Sequence, residues 1–412
     1  MKVLMFGWEF PPMSYGGLGT ACYGMTRALN DMDVDVTFIV PRLPKKYSNI
    51  DTHVELLGCN DSKNSKNSFK KIELNSLIRP YETEESYKIL RKSIDSDDGN
   101  LDIDKSLYGK DLYDEVRRYA KRAGELAKSL DFDIIHAHDW LTYLAGIEAK
   151  KATGKKLVVH MHASEFDRSG ENPNPTVYDM EYQGLHYADK IMAVSGYTKS
   201  IIVEKYNIDE SKVEVVHNGI EIPDEEISVE KKIPNLVLFL GRITRQKGPK
   251  FFLEAAKKIL ELEPDSYFVM AGSGDMLQEC IDYANELGIS KNILFPGYLK
   301  GKDVNRAYAM SNVFVMPSVS EPFGLTPLEA IHNGTPAIIS KQSGVSEVLN
   351  HALKVDFWDV DEMANKILGV LSYDGLREEL LSGGKMNVKR ISWDNASRDV
   401  KEIYEKVLRG EC

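Results

Sequence analysis

The sequence predicts an α/β protein built from two doubly wound parallel sheets. A chain of 412 residues is too long for one hydrophobic core, because single cores stop growing at roughly 250–300 residues. Short apolar runs recur along the chain, and each is followed by a loop and then by a helical pattern. A second series of these units begins at Asn235. It follows the charged segment 220–232, which we interpret as an interdomain linker.

Composition and charge narrow the classes of function. The formal net charge of −11 argues against a nucleic-acid partner and against binding to a membrane surface through basic residues. The cysteines are scattered without a C-x-x-C pair, which predicts a reducing compartment and no zinc site; they are Cys22, Cys59, Cys280 and Cys412. No apolar run approaches the roughly 18 residues of a membrane span. We therefore expect a cytoplasmic protein, and a homo-oligomer remains open.

The first unit is a strand, a glycine-rich loop and a helix. Residues 2–8 form the predicted strand, and the loop leads through Gly16 and Gly17 into a helix. Such a loop lets phosphate groups approach the backbone closely. Its spacing differs from the dinucleotide fingerprint, and a plain tight connection is the alternative. A second strand is predicted at 36–40, and the polar segment 60–70 is predicted to be a flexible loop.

Polar side chains follow two later strands of the first series. Asp139 and Trp140 come after the predicted strand 133–137, and His162 and Glu165 come after the predicted strand 157–160. Carboxyl ends of parallel strands meet at one edge of a sheet, so these groups are expected to cluster there. Trp140 has a competing interpretation, in which its ring faces the core of the N-terminal domain.

Four histidines on these strands raise the question of a metal site. They are His136, His138, His160 and His162. The H-x-H pattern is compatible with metal binding. We nevertheless expect none, on the argument that alternation along a strand turns His136 and His160 to the other side of the sheet. Each histidine by itself is more typical of a structural hydrogen bond.

The second series opens with a basic loop. After the predicted strand 235–240, Arg242 and Lys247 precede a helix that starts at Pro249. Two cations beside a helix N-terminus suit a diphosphate. A solvated basic turn is the alternative. Further along, Tyr298 and Leu299 follow another short strand.

The most informative stretch runs from residue 313 to residue 330. An apolar strand ends at Pro317, and Glu321 lies in the loop that follows. Leu325 and Thr326 then start a helix, for which we predict Thr326 as N-cap and Glu329 as its capping-box partner. That cap would be a purely structural role for Glu329. Glu321 caps nothing evident, which favours a role in binding or catalysis.

These segments carry a family resemblance. Glu321 and Glu329 stand eight residues apart around PFGLTPL, which resembles the E-x7-E motif of retaining GT-B glycosyltransferases (families 4 and 5). HAHDW and VVHMHASEFDRSGEN in the first half are most similar to the glycogen and starch synthase branch. One departure is the first loop, where Tyr15 stands in the place at which bacterial glycogen synthases typically carry lysine.

The resemblance implies a GT-B fold and a division of the chain. It implies an N-terminal acceptor domain at 1–219, the linker 220–232, a nucleotide-sugar domain at 233–391, and a C-terminal helix at 392–412 that returns to the first domain. The implied catalytic residues are His162, Arg242, Lys247 and Glu321. The implied donor-binding residues are Gly16, Gly17, Tyr298, Leu299, Leu325, Thr326 and Glu329. The implied acceptor-side residues are Asp139, Trp140 and Glu165. No metal and no further cofactor is expected.

The implied activity is retaining transfer of glucose from ADP-glucose or UDP-glucose to a glucan or maltooligosaccharide. The alternative acceptor is a small sugar, a sugar phosphate or another glycan. A sugar-nucleotide epimerase and a non-catalytic sugar-nucleotide binding protein also remain open. A metal-dependent GT-A transferase would need a D-x-D ligand pair. That string occurs at 33–35, 102–104, 131–133 and 359–361, mostly in positions typical of the surface or of a strand start.

Overall fold

The computed structural model describes residues 1–11, 17–41, 53–58, 84–85, 87–89, 111–221 and 233–411. Four sequence-based expectations lie outside these residues: the roles of Tyr15 and Gly16, the loop at 60–70, and all but the first two residues of the linker.

Within the described residues, the first parallel sheet has seven strands. They run in the order β3-β2-β1-β4-β5-β6-β7, and each pairing is parallel. The strands are β1 (Lys2–Phe6), β2 (Asp35–Val40), β3 (Glu55–Gly58), β4 (Ile134–His138), β5 (Lys156–Met161), β6 (Lys190–Ala193) and β7 (Val213–Val215). β1, β4 and β5 are buried almost throughout, as expected of central strands covered on both faces.

Helices cover both faces of this sheet. They are α1 (Gly17–Asn30), α2 (Leu112–Ala127), α3 (Trp140–Thr153), α4 (Glu165–Ser169), α5 (Pro175–Tyr187) and α6 (Gly196–Tyr206). The face that carries Ile135 and Val159 packs into one core with α2 and α3. The opposite face, with Ile134 and Val158, packs under α1.

The second sheet has six parallel strands in the order β10-β9-β8-β11-β12-β13. They are β8 (Leu236–Leu240), β9 (Tyr267–Ala271), β10 (Ile293–Gly297), β11 (Val313–Met316), β12 (Ala337–Ser340) and β13 (Leu353–Val355). Its helices are α7 (Pro249–Leu262), α8 (Leu277–Glu286), α9 (Lys302–Met310), α10 (Thr326–His332), α11 (Val345–Val348), α12 (Val360–Ser372) and α13 (Asp374–Arg390). The prediction of two parallel α/β sheets is confirmed.

The last helix, α14 (Trp393–Arg409), lies on the first sheet rather than the second. Its N-terminus is capped by Ser392, whose hydroxyl accepts the Asn395 N–H at 3.3 Å. Trp393 packs directly on α1 at Gly24, where a Cβ would lie 2.2 Å from the indole nitrogen. Within the described residues, no helix is long and apolar enough to cross a bilayer.

Candidate active site

A glycine brings the basic loop after β8 against the loop after β11. Gly248 has a φ of 64°, and a Cβ at this position would lie 2.1 Å from the Pro317 carbonyl oxygen. Only glycine combines this backbone conformation with so close an approach. The Gln246 carbonyl then accepts the Val319 N–H at 2.9 Å. The two loops are therefore locked together, with Lys247 facing the loop that carries Glu321.

Lys247 and Glu321 meet as an ion pair. The Lys247 Nζ contacts Oε2 of Glu321, and the Ser318 hydroxyl donates to the same oxygen at 3.2 Å. The Glu321 backbone is held on both sides, because its N–H donates to the Gln342 carbonyl at 2.9 Å and its carbonyl accepts the Gly344 N–H at 2.9 Å. An ammonium has three donors, so Lys247 keeps capacity for the oxygens of a diphosphate.

Arg242 lies on the exposed part of the same loop. One of its guanidinium nitrogens donates to the side chain of Gln246 at 3.4 Å, and Gln246 directly precedes Lys247 in the sequence. Two cations at the carboxyl end of β8 can neutralise an anionic ligand together.

The helix that follows Glu321 begins differently from the sequence prediction. Thr326 is the first residue of α10, Leu325 is its N-cap, and no side chain caps this end. The predicted capping box of Thr326 and Glu329 is therefore wrong. Leu325 already has helical backbone angles, so the Thr326 hydroxyl is not placed to accept an N–H from the next turn. Instead, the Thr326 hydroxyl lies 3.8 Å from the Met316 sulfur.

Glu329 is held by a tyrosine instead. The Tyr308 hydroxyl of α9 donates to its Oε2 at 2.9 Å. Burial raises the pKa of Glu329, and the hydrogen bond from Tyr308 opposes that shift. Freed from a capping role, the carboxylate keeps acceptor capacity for a ligand hydroxyl. This position fits the role in donor binding that the resemblance implies.

Tyr298 and Leu299 follow β10 at the edge of the second sheet. The Tyr298 side chain is 63% exposed, and the Lys300 ammonium lies 5.6 Å from the ring centroid. Leu299 is partly buried against the core of the second sheet. An exposed aromatic face can stack on a nucleobase.

The start of α1 is held by a carboxylate to which the sequence interpretation gave no role. Glu9 is 1% exposed and accepts the Gly19 N–H of α1 at 2.7 Å. A Cβ added at Gly17, the first residue of α1, would meet no atom of the described residues within 4 Å. The signal that could have identified Glu9 is its place: a charged residue directly after a buried strand.

Asp139 acts on the backbone of the next loop. Its Oδ1 accepts the N–H groups of His162 at 2.7 Å and Ala163 at 3.3 Å. Burial raises the pKa of Asp139 to about 7, against the opposing charge of Arg168 and these two hydrogen bonds. Asp139 also has a φ of 57°, a conformation that costs a non-glycine residue energy and that clusters at functional sites. Asp139 therefore positions His162.

The remaining acceptor-side residues make contacts within their own domain. The two Glu165 oxygens accept hydrogen bonds from Arg168 at 3.0 Å and from the Asn174 N–H at 3.1 Å. Trp140 is half-buried, with its ring centroid 6.3 Å from that of Tyr113. Tyr143 of α3 is fully buried and donates to the His160 carbonyl at 3.2 Å, so its ring does not face an acceptor.

All four histidines lie on one face of the sheet, so the expectation that His136 and His160 face away is wrong. Alternation has a period of two, and residues i and i+2 therefore share a face. His138 is also paired in register with His160 on the neighbouring strand. The Nε2 of His162 lies 2.9 Å from the Nδ1 of His138. Burial lowers the pKa of His162 to about 3, so its imidazole is neutral.

Two groups join the domains across the cleft. The Ser320 hydroxyl, next to Glu321, donates to Asp167 of α4 and lies 2.9 Å from the Tyr197 hydroxyl. Glu347 of α11 accepts the Gly196 and Tyr197 N–H groups of α6 at 2.9 and 2.8 Å. The sequence interpretation assigned no role to these contacts, because nothing local in either segment reveals a partner more than a hundred residues away.

Comparisons with known proteins agree with this geometry. Residues 2–212 match the family model described as starch synthase catalytic domain, and residues 222–385 match glycosyl transferases group 1. The chain is 29% identical to an uncharacterized glycosyltransferase of Methanocaldococcus jannaschii, over 98% of both chains. It is 23% identical to a glycogen synthase of Mycobacterium tuberculosis, over 100% of this chain and 96% of that one. A sucrose-phosphate synthase structure from Thermosynechococcus elongatus superimposes with a TM-score of 0.76 at 17% identity, over 99% of both chains.

The first family model spans half of the chain, the second spans most of the remainder, and the solved structure has the same two-sheet fold. The chain therefore belongs to the family of the starch synthase catalytic domain, and is a GT-B hexosyltransferase near the glycogen and starch synthase branch.

Proposed function

We propose that this enzyme transfers glucose, with retention of configuration, from ADP-glucose or UDP-glucose to the non-reducing end of an α-1,4-glucan. The observation that carries the proposal is the contact between Lys247 and Glu321. This contact lies at the carboxyl edge of the second sheet, and it supports a role for the cation in binding the diphosphate and for the carboxylate in binding the sugar.

In the proposed reaction the bond between the anomeric carbon and the diphosphate oxygen breaks. An acceptor hydroxyl attacks the anomeric carbon from the same face, and its proton passes to the leaving diphosphate. Lys247 and Arg242 stabilise the negative charge that develops on the diphosphate. Glu321 stabilises the positive charge on the sugar ring. No covalent enzyme intermediate is required, and no metal is required at the diphosphate because the two cations neutralise it.

The acceptor assignment is supported by the N-terminal half. This half matches the starch synthase catalytic domain, and the full chain is similar to a glycogen synthase. Two observations favour a second candidate, a small sugar or sugar phosphate acceptor. Glu165 has both oxygens engaged within the protein, and Tyr15 replaces the lysine typical of bacterial glycogen synthases.

Product analysis separates the two acceptors. The enzyme is incubated with maltooligosaccharide primers and either ADP-glucose or UDP-glucose, and the products are resolved by chain length. We expect stepwise lengthening of the primer with one of the two donors. Transfer only to glucose 1-phosphate or fructose, with no lengthening of primers, would overturn the glucan proposal and leave the glycosyltransferase assignment intact.

A further inference from the structure

Three buried histidines of the N-terminal sheet form a compact cluster on the face that carries α1 and α14. One ring nitrogen from each of His136, His138 and His160 can be chosen so that all three lie within 4.8 Å of one another. Their side chains are at most 1% exposed. The positions of these residues on the strands explain the cluster. His136 and His138 are two residues apart on β4, so their side chains share a face. His160 of β5 is the direct partner of His138 and lies on the same face.

The ring nitrogens of this cluster divide into two groups. The Nδ1 of His136 lies 2.5 Å from the Tyr404 hydroxyl of α14, and the Nδ1 of His138 lies 2.9 Å from the Nε2 of His162. The Nε2 atoms of His136 and His138 have no hydrogen-bond partner among the described residues, and neither does either nitrogen of His160. A buried polar atom without a partner is costly, and proteins seldom keep several together without a ligand.

This division has the form of a metal site. A ligating histidine binds the ion through one nitrogen and is oriented through the other by a hydrogen bond. His136 and His138 each have one nitrogen held by a hydrogen-bond partner, and the other nitrogen has no partner among the described residues.

We propose that His136, His138 and His160 bind one divalent transition-metal ion, with Zn²⁺ the best-suited ion. Imidazole nitrogens suit Zn²⁺, and three of them plus a fourth ligand complete a tetrahedral site. Tetrahedral coordination requires the nitrogens to be about 3.4 Å apart, given Zn–N bonds of about 2.0–2.1 Å. The rings of His136 and His160 are stacked, with centroids 5.5 Å apart and an interplanar angle of 10°. Binding would therefore require these side chains to rotate until both nitrogens face the ion.

The ion would join three parts of the molecule. It would fix β4 to β5 through its ligands, and it would fix α14 to the sheet through the bond of His136 to Tyr404. A metal on Nε2 of His138 leaves the proton on its Nδ1, which then donates to Nε2 of His162. The His162 ring is thereby held in one tautomer, so the metal would be a positioning element and would take no part in the transfer reaction. This inference does not depend on which donor or acceptor the enzyme uses.

The first test is the metal content of the untagged protein. It is expressed in medium supplemented with zinc, purified without chelator, and analysed by inductively coupled plasma mass spectrometry. We expect about one equivalent of metal per chain in the wild type. In His160→Leu we expect the metal to be lost, although this change breaks no hydrogen bond that the ring makes with the described residues. The control is His186→Gln, at an exposed histidine of α5, which should keep the metal.

The second test is thermal unfolding. Metal-free protein is prepared by unfolding and refolding in chelator, because the site is buried. Zn²⁺ should raise the Tm of the wild type and of His186→Gln, and should leave that of His160→Leu unchanged, because a ligand stabilises only the protein that binds it. Refolding with Co²⁺ should give the intense visible absorption of a tetrahedral ion in the wild type and not in His160→Leu.

One result overturns the proposal regardless of how the variants fold. Wild-type protein from zinc-supplemented cells that contains no stoichiometric metal, and whose Tm does not respond to Zn²⁺ after refolding, would show that the cluster binds no metal. Equal metal content in the wild type and in folded His160→Leu would also exclude the cluster as the binding site.

Discussion

At the scale of single residues, the active site depends on paired opposite charges brought together by loops. Lys247 is 22% exposed and the Glu321 side chain 9% exposed, so their interaction is screened only in part by solvent. Lys247 ends a short 3-10 helix, Arg245–Lys247, and Glu321 lies in a loop whose backbone is hydrogen-bonded to a neighbouring loop. Replacement of either side chain should therefore affect chemistry more than folding.

The first prediction concerns this pair. Lys247→Ala and Glu321→Ala should each lower kcat by on the order of 10²-fold or more, the usual cost of removing an electrostatic partner of a transition state. The control is Lys257→Ala, at an exposed lysine of α7, which should leave kcat unchanged. Steady-state kinetics and circular dichroism measure activity and folding. Near-normal turnover of Glu321→Ala would refute its proposed role.

The second prediction concerns Glu329 and Tyr308. Glu329→Ala should mainly raise the KM for the donor, because we propose that this carboxylate accepts hydrogen bonds from the ribose hydroxyls of the donor. It should also cost about 1 kcal/mol of unfolding free energy through loss of the hydrogen bond from Tyr308. Tyr308→Phe should show the same modest loss of stability with a smaller effect on KM. An equal rise in KM for both variants would contradict direct donor binding by Glu329. It would indicate that Glu329 affects donor binding only by holding α9 in place through Tyr308.

At the scale of elements, α6 and α11 are joined by one carboxylate. Glu347 of α11 accepts two N–H groups at the start of α6 and lies 2.9 Å from the Nε2 of His217. Free N–H groups at a helix N-terminus favour a negative charge. Burial alone would raise the pKa of Glu347, but the hydrogen bonds from His217, Gly196 and Tyr197 outweigh it and lower the pKa.

The third prediction follows from the sign of that shift. A lowered carboxyl pKa means that Glu347 stabilises the folded protein above the ordinary glutamate pKa of about 4.3, and that this contribution is lost as the pH falls below it. At pH 7, Glu347→Gln should cost about 1 kcal/mol, a value reduced by its partial exposure. The difference in Tm from the wild type should shrink as the pH approaches 4. The control is Glu379→Gln, at an exposed glutamate, for which the difference in Tm from the wild type should not vary with pH. If the difference in Tm for Glu347→Gln stayed constant as the pH fell, the negative charge of Glu347 would not be what stabilises the fold.

At the scale of the whole molecule, two sheets face each other across a cleft that a few polar contacts bridge. Ser320 contacts Asp167 and Tyr197 from the other domain, and Ile220 donates its N–H to the Ile391 carbonyl at 3.2 Å. Each such bond contributes only about 0.5–1.5 kcal/mol net. We therefore propose that the two domains open and close relative to each other, with the donor favouring the closed state.

The fourth prediction is a change of shape on donor binding. Small-angle scattering should show a smaller radius of gyration when the donor is saturating, because the diphosphate would contact residues on both sides of the cleft. Nucleoside monophosphate, which lacks the second phosphate, serves as the control and should give a smaller change. An unchanged profile at saturating donor would contradict closure.

The fifth prediction concerns metal at the diphosphate. Addition of EDTA to the folded enzyme should leave the transfer rate unchanged, since Arg242 and Lys247 supply the positive charge. A buried ion at His136, His138 and His160 would exchange only on unfolding, so a short assay in chelator does not test it. Immediate loss of activity that Mn²⁺ restores would show that a divalent ion, rather than these two side chains, neutralises the diphosphate.

Local patterns in the sequence determined the alternation of strands and helices, the two parallel sheets, and the placement of Arg242, Lys247 and Glu321 in loops at strand ends. These follow from periodicity and from turn residues, which act within a few positions along the chain. The start of α10 at Thr326 was misjudged because a capping box requires backbone angles that the motif does not specify.

Tertiary structure alone decided which distant groups meet. It brought Lys247 to Glu321, Glu347 to the start of α6, and both oxygens of Glu165 to partners within its own domain. It also stacked the histidines of β4 and β5 on one face through the register of the two strands. Side chains pair according to the packing of whole sheets and helices, and the sequence carries that arrangement only through the sum of many weak contacts.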